Sequence, residues 1–375
     1  MHILLDARLA GTTSGIGRYI RELVYALDTL EHRHHFTLLT LPQDEHLFRG
    51  LSKRFYLLKR DIPWYGIQEQ KELPKILYFL RPHVVHFPHW NIPLLWKGNF
   101  VVTLHDLTPL HFSSYRATTR ALPTYWFKQF ILKKILRKAT REAQHIITVS
   151  EFSKRDIAQT LAVPLERISV TYEDAESQRV DPHDLYPQTQ NALIQKPYFL
   201  YVGSAYPHKN LEFLIYSFAA WNKGMYQLVL VGETDYFYKR LQKKTTPEVI
   251  FFGKTTEQEL RQLYQQAMAF VTPSLYEGFG LPPLEALAHG TAVISSNAAS
   301  LPEVLGDAAL FFNPRMPEEL AQVFSKITEP SIRETLQHKG AEQLKKYSWK
   351  KMAQETLAVY EKSAPPLPPH DETLA

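Results

Sequence analysis

The chain has no cysteine. That absence excludes a disulfide framework, thiol nucleophiles and thiolate metal sites together, and it points to a reducing cytoplasm. Long apolar runs are lacking too, since no stretch reaches the roughly 18 consecutive apolar residues that a membrane-spanning helix requires. The start, Met1-His-Ile-Leu-Leu-Asp6, has no basic region before its apolar run and soon meets a carboxylate. It does not read as a secretory signal. No internal repeat with a period of about 20 to 50 residues is visible. What is present is ordinary: 375 residues, 45% hydrophobic and 22% charged. That is the composition of a globular protein, neither disordered nor fibrous. At roughly 150 residues per domain the length predicts about two domains, each large enough for its own core.

Charge is unevenly placed. Residues 1–180 hold 25 Lys+Arg against 17 Asp+Glu, and residues 181–375 hold 18 against 21. The excess concentrates between Tyr115 and Arg141, where Arg116, Arg120, Lys128, Lys133, Lys134, Arg137, Lys138 and Arg141 occur with no acid. Such a run reads either as a solvated helix face or, interleaved as it is with Trp126, Phe127 and Phe130, as a basic amphipathic surface for anionic lipid. No recognition motif accompanies it, so nucleic acid is not expected.

Short apolar runs alternate with segments of helical period. The first set is His2–Leu5, Phe36–Leu41, Val84–Phe87, Phe100–Leu104, His145–Val149 and Ile168–Tyr172. A second is Tyr198–Val202, Gln227–Val231, Val249–Phe252, Ala269–Thr272, Ala292–Ser295 and Ala309–Phe312. Buried strands separated by helices predict an α/β protein of two doubly wound, Rossmann-like domains facing across a cleft. Residues 1–175 make the first domain and 197–348 the second, with a polar, proline-bearing linker at 176–196. Residues 349–363 read as a helix crossing back to the first domain, and 364–375 as a disordered tail. Ligands of such sheets lie outside the carboxyl ends of the strands, and chemistry is to be sought in the loops there.

The most informative loop is Thr272-Pro-Ser-Leu-Tyr-Glu-Gly-Phe-Gly-Leu-Pro-Pro-Leu-Glu-Ala286. Its glycines and prolines delay a helix until about Leu281, which places Glu277 on the loop and Glu285 on the first helical turns. The N–H groups of Gly280 and Leu281 then lack intrahelical acceptors and sit at the positive end of the helix dipole. That suits a phosphate, provided Gly278 and Gly280 let it approach closely. The flanking carboxylates make sense as ligands of hydroxyl groups, one on a sugar and one on a ribose. The plainer alternative has Glu285 complementing the helix terminus and Glu277 solvated.

Other loops fit around it. In Val202-Gly-Ser-Ala-Tyr-Pro-His-Lys-Asn210, Lys209 can face phosphate oxygens and Asn210 can cap the next helix, unless the lysine is merely a surface residue. Ser14-Gly-Ile-Gly-Arg-Tyr19 opens a helix, and Gly15 and Gly17 permit close backbone approach. Ile20 leaves the dinucleotide fingerprint incomplete, so an NAD-dependent oxidoreductase is a poor fit. His105, in Leu104-His-Asp-Leu-Thr108, can donate to a sugar hydroxyl or be a structural histidine held by Asp106. His83, His86 and His89 alternate faces of a strand and cannot converge on a metal, so no metal site or other cofactor is expected.

Glu277-Gly-Phe-Gly-Leu-Pro-Pro-Leu-Glu285, two glutamates with seven residues between them, resembles the signature of glycosyltransferase family 4, retaining enzymes of the GT-B fold. The glycine-rich first loop, His105-Asp106, Pro207-His-Lys-Asn210 and Leu301-Pro-Glu303 fit the same family in order, and the resemblance spans nearly the whole chain. More narrowly, the chain resembles bacterial mannosyltransferases of surface-polysaccharide assembly.

The resemblance implies a nucleotide-sugar donor, first GDP-mannose, and a glycan or lipid-linked acceptor, with the first domain binding acceptor and the second binding donor. It implies a protein of the cytoplasm or the inner face of the membrane that needs no metal. Glu277 would bind donor-sugar hydroxyls, with the backbone of Gly278, Phe279, Gly280 and Leu281 around sugar and diphosphate. Glu285 would bind the ribose, Lys209 the diphosphate, Gly15 and Gly17 the diphosphate from the first domain. His105 would sit near the transferred sugar and Gly253-Lys254 beside the base. Many relatives have an arginine after the glycine of the phosphate loop, where this chain has Ser204, so either Lys209 and the helix terminus suffice for the diphosphate or another base such as His208 or Arg18 helps. An epimerase or hydrolase of nucleotide sugars on the same fold, or a non-catalytic nucleotide-sugar-binding module, is the alternative function.

Overall fold

A computed structural model describes residues 1–12, 15–113, 122–175, 193–243 and 245–364. The expected linker, apart from 193–196, and the expected tail, apart from Ala364, lie outside the described residues, as does the basic stretch before Leu122.

The first domain runs β1 (His2–Asp6), α1 (Gly15–Thr29), β2 (His35–Thr40), β3 (Phe55–Lys59), α2 (Ile67–Leu80), β4 (Val84–Phe87), β5 (Phe100–Thr103), α3 (Thr108–His111), α4 (Leu122–Glu142), β6 (His145–Thr148), α5 (Glu151–Leu161) and β7 (Ile168–Val170). Its strands form one parallel sheet in the order β3-β2-β1-β4-β5-β6-β7. β1, β2, β4, β5 and β6 are almost wholly buried because helices cover both faces, which is why they read as continuous apolar runs. α1 packs on one face with Ile20, Leu23 and Leu27. α2, α4 and α5 cover the other with Leu73, Leu77, Ile135, Leu136 and Ile157.

β3 was not expected from the sequence. Phe-Tyr-Leu-Leu-Lys is an edge strand with Tyr56 and Lys59 exposed, so neither a full apolar run nor a clean alternation marks it.

The second domain runs β8 (Tyr198–Val202), α6 (Leu211–Trp221), β9 (Gln227–Val231), α7 (Tyr236–Gln242), β10 (Val249–Gly253), α8 (Glu257–Gln266), β11 (Ala269–Thr272), α9 (Leu281–Ala288), β12 (Val293–Ser296), α10 (Leu301–Leu305), β13 (Ala309–Phe312), α11 (Pro317–Ile327) and α12 (Pro330–Leu344). The parallel order is β10-β9-β8-β11-β12-β13. In both sheets the order reverses beside the first strand of the domain, opening a crevice at the carboxyl ends.

The last helix, α13 (Trp349–Ser363), starts at Ser348, whose side chain accepts from the Lys351 N–H. Its Met352, Ala353, Val359 and Tyr360 bury against β1, α1 and β2 of the first domain. Each large side chain so buried contributes about 1.5–3 kcal/mol. Tyr360 also shares a 2.6 Å hydrogen bond with Nδ1 of buried His86.

Candidate active site

The loop after β11 leads into α9, and its geometry follows from its glycines and prolines. Gly280 is the N-cap at φ +102°, in the left-handed region that favours glycine, and a Cβ there would sit 2.8 Å from Leu301. Pro282 and Pro283 occupy the first turn and have no N–H. Of the four N–H groups that a helix start normally orphans, only those of Gly280 and Leu281 exist here. Ser300 fixes the loop by donating to the carbonyls of Glu277 (2.9 Å) and Phe279 (3.1 Å).

Glu277 lies on the loop and is paired. Lys209 Nζ donates to both of its carboxylate oxygens, at 2.6 and 2.8 Å, and Ser274 donates to Oε1 at 2.7 Å. Burial by itself raises the pKa of this carboxyl, but the Lys209 charge and the hydrogen bonds from Lys209 and Ser274 outweigh it and hold the group below its ordinary value. Lys209 ends a short 3₁₀ turn after β8, tied to the glutamate loop by the Leu275 N–H donating to the His208 carbonyl at 2.8 Å.

Asn210 does not cap α6 with its side chain. Its backbone is left-handed at φ +59°, and Nδ2 instead donates to the carbonyls of Pro314 (2.9 Å) and Pro273 (3.2 Å). The residue thus knits the lysine loop to two neighbouring loops.

Glu285, one turn into α9, faces the other domain. Its Oε1 takes a guanidinium N–H of Arg18 from α1, and its Oε2 accepts from the Tyr264 hydroxyl at 3.0 Å. Burial, and then the Glu285 charge, push the Tyr264 pKa well up, which keeps it a donor. A Cβ on Gly15, the first residue of α1, would lie 3.5 Å from Leu281 Cδ1, so the starts of α1 and α9 stand close across the cleft. Gly17 is pressed against the backbone of Thr12, where a Cβ would come within 2.3 Å of the carbonyl oxygen.

Gly278 and His105 make contacts within the protein that the sequence did not reveal. At Gly278 a Cβ would lie 2.3 Å from the carbonyl oxygen of His105. The missing side chain therefore admits the backbone of the first domain. Ser150 and Ser153, on the first turn of α5, both donate to the Gly278 carbonyl, at 2.6 and 3.2 Å. The Phe279 side chain is buried between Tyr172 and Tyr347. His105 Nε2 donates to the Pro88 carbonyl (3.1 Å) and Nδ1 faces Glu173 at 3.3 Å, with Tyr19 edge-on. Both ring nitrogens are directed at protein acceptors. Asp106 accepts from the Thr108 N–H at 2.8 Å.

Ser204 lies on the loop after β8, where its carbonyl accepts from the Tyr201 hydroxyl at 2.7 Å. Gly253 and Lys254 lie at the end of the edge strand β10, and Lys254 pairs with Glu233 at the surface (2.8 Å). Sequence reasoning missed Ser274, Tyr264, Glu173, Ser150 and Ser153. Only Ser274 carried a signal, by lying within the motif itself. Glu303 was noticed, but its task was not: its carboxylate accepts the N–H groups of Glu151 (2.7 Å) and Phe152 (2.8 Å) and so caps α5 from the opposite domain.

On α4 the apolar residues do not all face outward. Leu132, Ile135, Leu136 and Ala139 enter the core, while Trp126 and Phe130 are exposed beside Lys133, Lys134 and Arg137. Among the described residues no helix is long and apolar enough to cross a membrane, and no group of three or more His, Asp or Glu could hold a metal ion.

Two family models match the chain: Glycosyltransferase Family 4 over residues 13–173, and Glycosyl transferases group 1 over residues 186–348. The chain is 32% identical over 283 residues to the O-antigen chain mannosyltransferase RfbU of Salmonella typhimurium, covering 74% of this chain and 73% of that protein. It is 28% identical over 373 residues to the O-antigen chain mannosyltransferase B of Escherichia coli, covering 92% and 96%. The sucrose-phosphate synthase of Thermosynechococcus elongatus superimposes with a TM-score of 0.74 at 19% identity, over 96% of this chain and 98% of that one, a likeness of fold.

Proposed function

The chain belongs to glycosyltransferase family 4, with the GT-B fold, and is a glycosyltransferase; we propose that it moves mannose, with retention of configuration, from GDP-mannose to the end of a surface-polysaccharide glycan. The observation that carries this reading is the Lys209–Glu277 pair beside the orphan N–H groups of Gly280 and Leu281. The choice of mannose and of an O-antigen-type acceptor is supported by the two relatives named above.

Donor binding opens the resting pairs. Hydroxyls of the sugar take the place of Lys209 on Glu277, and ribose hydroxyls engage Glu285. Lys209 and the two N–H groups then meet the diphosphate. As the glycosidic bond breaks, charge grows on the leaving phosphate, and fixed donors aimed at it stabilise the transition state more than the ground state. The phosphate oxygen that leaves takes the acceptor's proton on the same face of the sugar, so no carboxylate nucleophile is needed. The positive charge comes from the protein's own side chains and helix terminus, and we propose that transfer proceeds without a divalent metal. Trp126 and Phe130, flanked by Lys133, Lys134 and Arg137 on α4, form the surface by which the enzyme would rest on anionic lipid at the inner face of the membrane, near a lipid-linked acceptor.

The test is a calorimetric panel of GDP-, UDP- and ADP-sugars followed by transfer of labelled sugar to extracted lipid-linked glycan. The expected result is tight binding of GDP-mannose and acceptor-dependent transfer. Donor consumption without acceptor would instead make the protein an epimerase or hydrolase, and binding with no turnover a non-catalytic module.

A further inference from the structure

Four charged side chains surround the start of α9, and they cancel in pairs: Lys209 with Glu277, and Arg18 with Glu285. Their side chains are only 12–19% exposed. A diphosphate brings one negative charge on each phosphate into this neutral, largely desolvated site, and one lysine offsets only one of them. The loop after β8 that carries Lys209 offers no further cation. Ser204 is uncharged. His208, beside Lys209, is neutral near pH 7, because burial and then the Lys209 charge lower its pKa to about 4. Lys254 is engaged with Glu233 at the surface.

Arg18 stands three residues into α1, and helical side chains lean toward the N-terminus of their helix. Its guanidinium, held on Glu285 of α9, therefore lies near the place where the starts of the two helices come close, a Cβ on Gly15 reaching to 3.5 Å from Leu281. A planar, permanently charged fork fits two phosphate oxygens at once.

We propose that Arg18 is the second cation of the diphosphate site, parked on Glu285 until the donor arrives. Ribose hydroxyls displace it from Glu285, and the guanidinium turns onto the phosphates. Each glutamate of the motif is thus kept neutralised at rest by the cation that later grips the leaving group, one cation from each domain. This rests on the reading that Lys209 takes the diphosphate and Glu285 the ribose.

The experiment titrates GDP and guanosine, and UDP and uridine, into the full chain and into R18Q and R18K, with thermal unfolding to confirm the fold. The expected result is that R18Q weakens nucleoside diphosphate binding by about 10- to 100-fold, the range of a lost charge-assisted hydrogen bond, while the nucleoside binds at least as well as before. R18K keeps the charge but not the fork and should fall between. If R18Q changes nucleoside and diphosphate affinity by the same factor, in either direction, Arg18 is only a contact between domains. The inference then fails while the donor reading stands. Should R18Q not fold, the same comparison in R18K decides: an equal change for both ligands overturns the inference, and a loss confined to the diphosphate supports it. If the unaltered chain binds neither diphosphate, the donor reading and this inference fall together.

Discussion

The Lys209–Glu277 pair lies wholly within the second domain, whereas Arg18 and Glu285 come from opposite domains and stand 267 residues apart in sequence. The first pair is fixed by neighbouring loops, by Ser274 and by Asn210, so it is formed whenever the second domain is folded. The second exists only while the domains are closed, a state also held by Glu303 on the start of α5 and by Ser150 on the Gly278 carbonyl. The Glu277 side of the site is therefore built in advance, and closure adds Arg18 to the Glu285 side. Opening the cleft frees Glu285 and Arg18 together without disturbing Glu277.

Substitutions can break this contrast at either end. The largest effect is expected at Lys209→Ala, which should lower kcat about 100-fold or more, as loss of one preorganised donor to a developing negative charge does. Single-turnover transfer would measure it, and an unchanged kcat would remove Lys209 from the chemistry.

Next comes Glu277→Gln, which should cut kcat/KM for the donor about 10- to 100-fold by weakening a charge-assisted hydrogen bond. It should also change acid stability in a defined sense. The Glu277 carboxyl is held below its ordinary value of 4.5, so its contribution to folding is fully present above that pH and is lost as the pH falls through the lowered value. Glu277→Gln should flatten that acid limb of the unfolding curve, and a wild-type limb in the variant would contradict the pairing.

The cross-domain side is probed by Glu303→Ala. Two N–H groups at the start of α5 lose their acceptor, at a cost of about 1–3 kcal/mol. Thermal unfolding should register the loss and small-angle scattering a wider particle. Donor affinity should fall through the diphosphate, which loses the approach of Arg18, with the kcat of bound donor nearly kept. The smallest expected effect is of EDTA, which should leave transfer at its full rate. A loss restored by magnesium would show that the protein's own cations and helix terminus do not carry the charge alone.

Much of the molecule was legible in the chain itself, for reasons that also explain what was not. Strands buried on both faces, such as Val84–Phe87 and Gln227–Val231, announce themselves as unbroken apolar runs. The half-exposed edge strand Phe55–Lys59 does not. Within the site, Glu277, Gly280 and Glu285 were visible because glycines and prolines dictate where a helix can begin. Partners brought in by tertiary closure were hidden, since nothing local ties Glu303 to Glu151 or Tyr264 to Glu285. Gly278 shows the limit most sharply: its missing side chain was foreseen, but the neighbour that requires it, the His105 carbonyl, belongs to the other domain.

The most direct measurement is a crystal structure of the chain with GDP bound. The diphosphate should lie within hydrogen-bonding distance of Lys209 Nζ and the N–H groups of Gly280 and Leu281, with Lys209 drawn off Glu277 and the ribose on Glu285. A nucleotide bound elsewhere, with the Lys209–Glu277 pair intact beneath it, would contradict the assignment of this loop as the donor site.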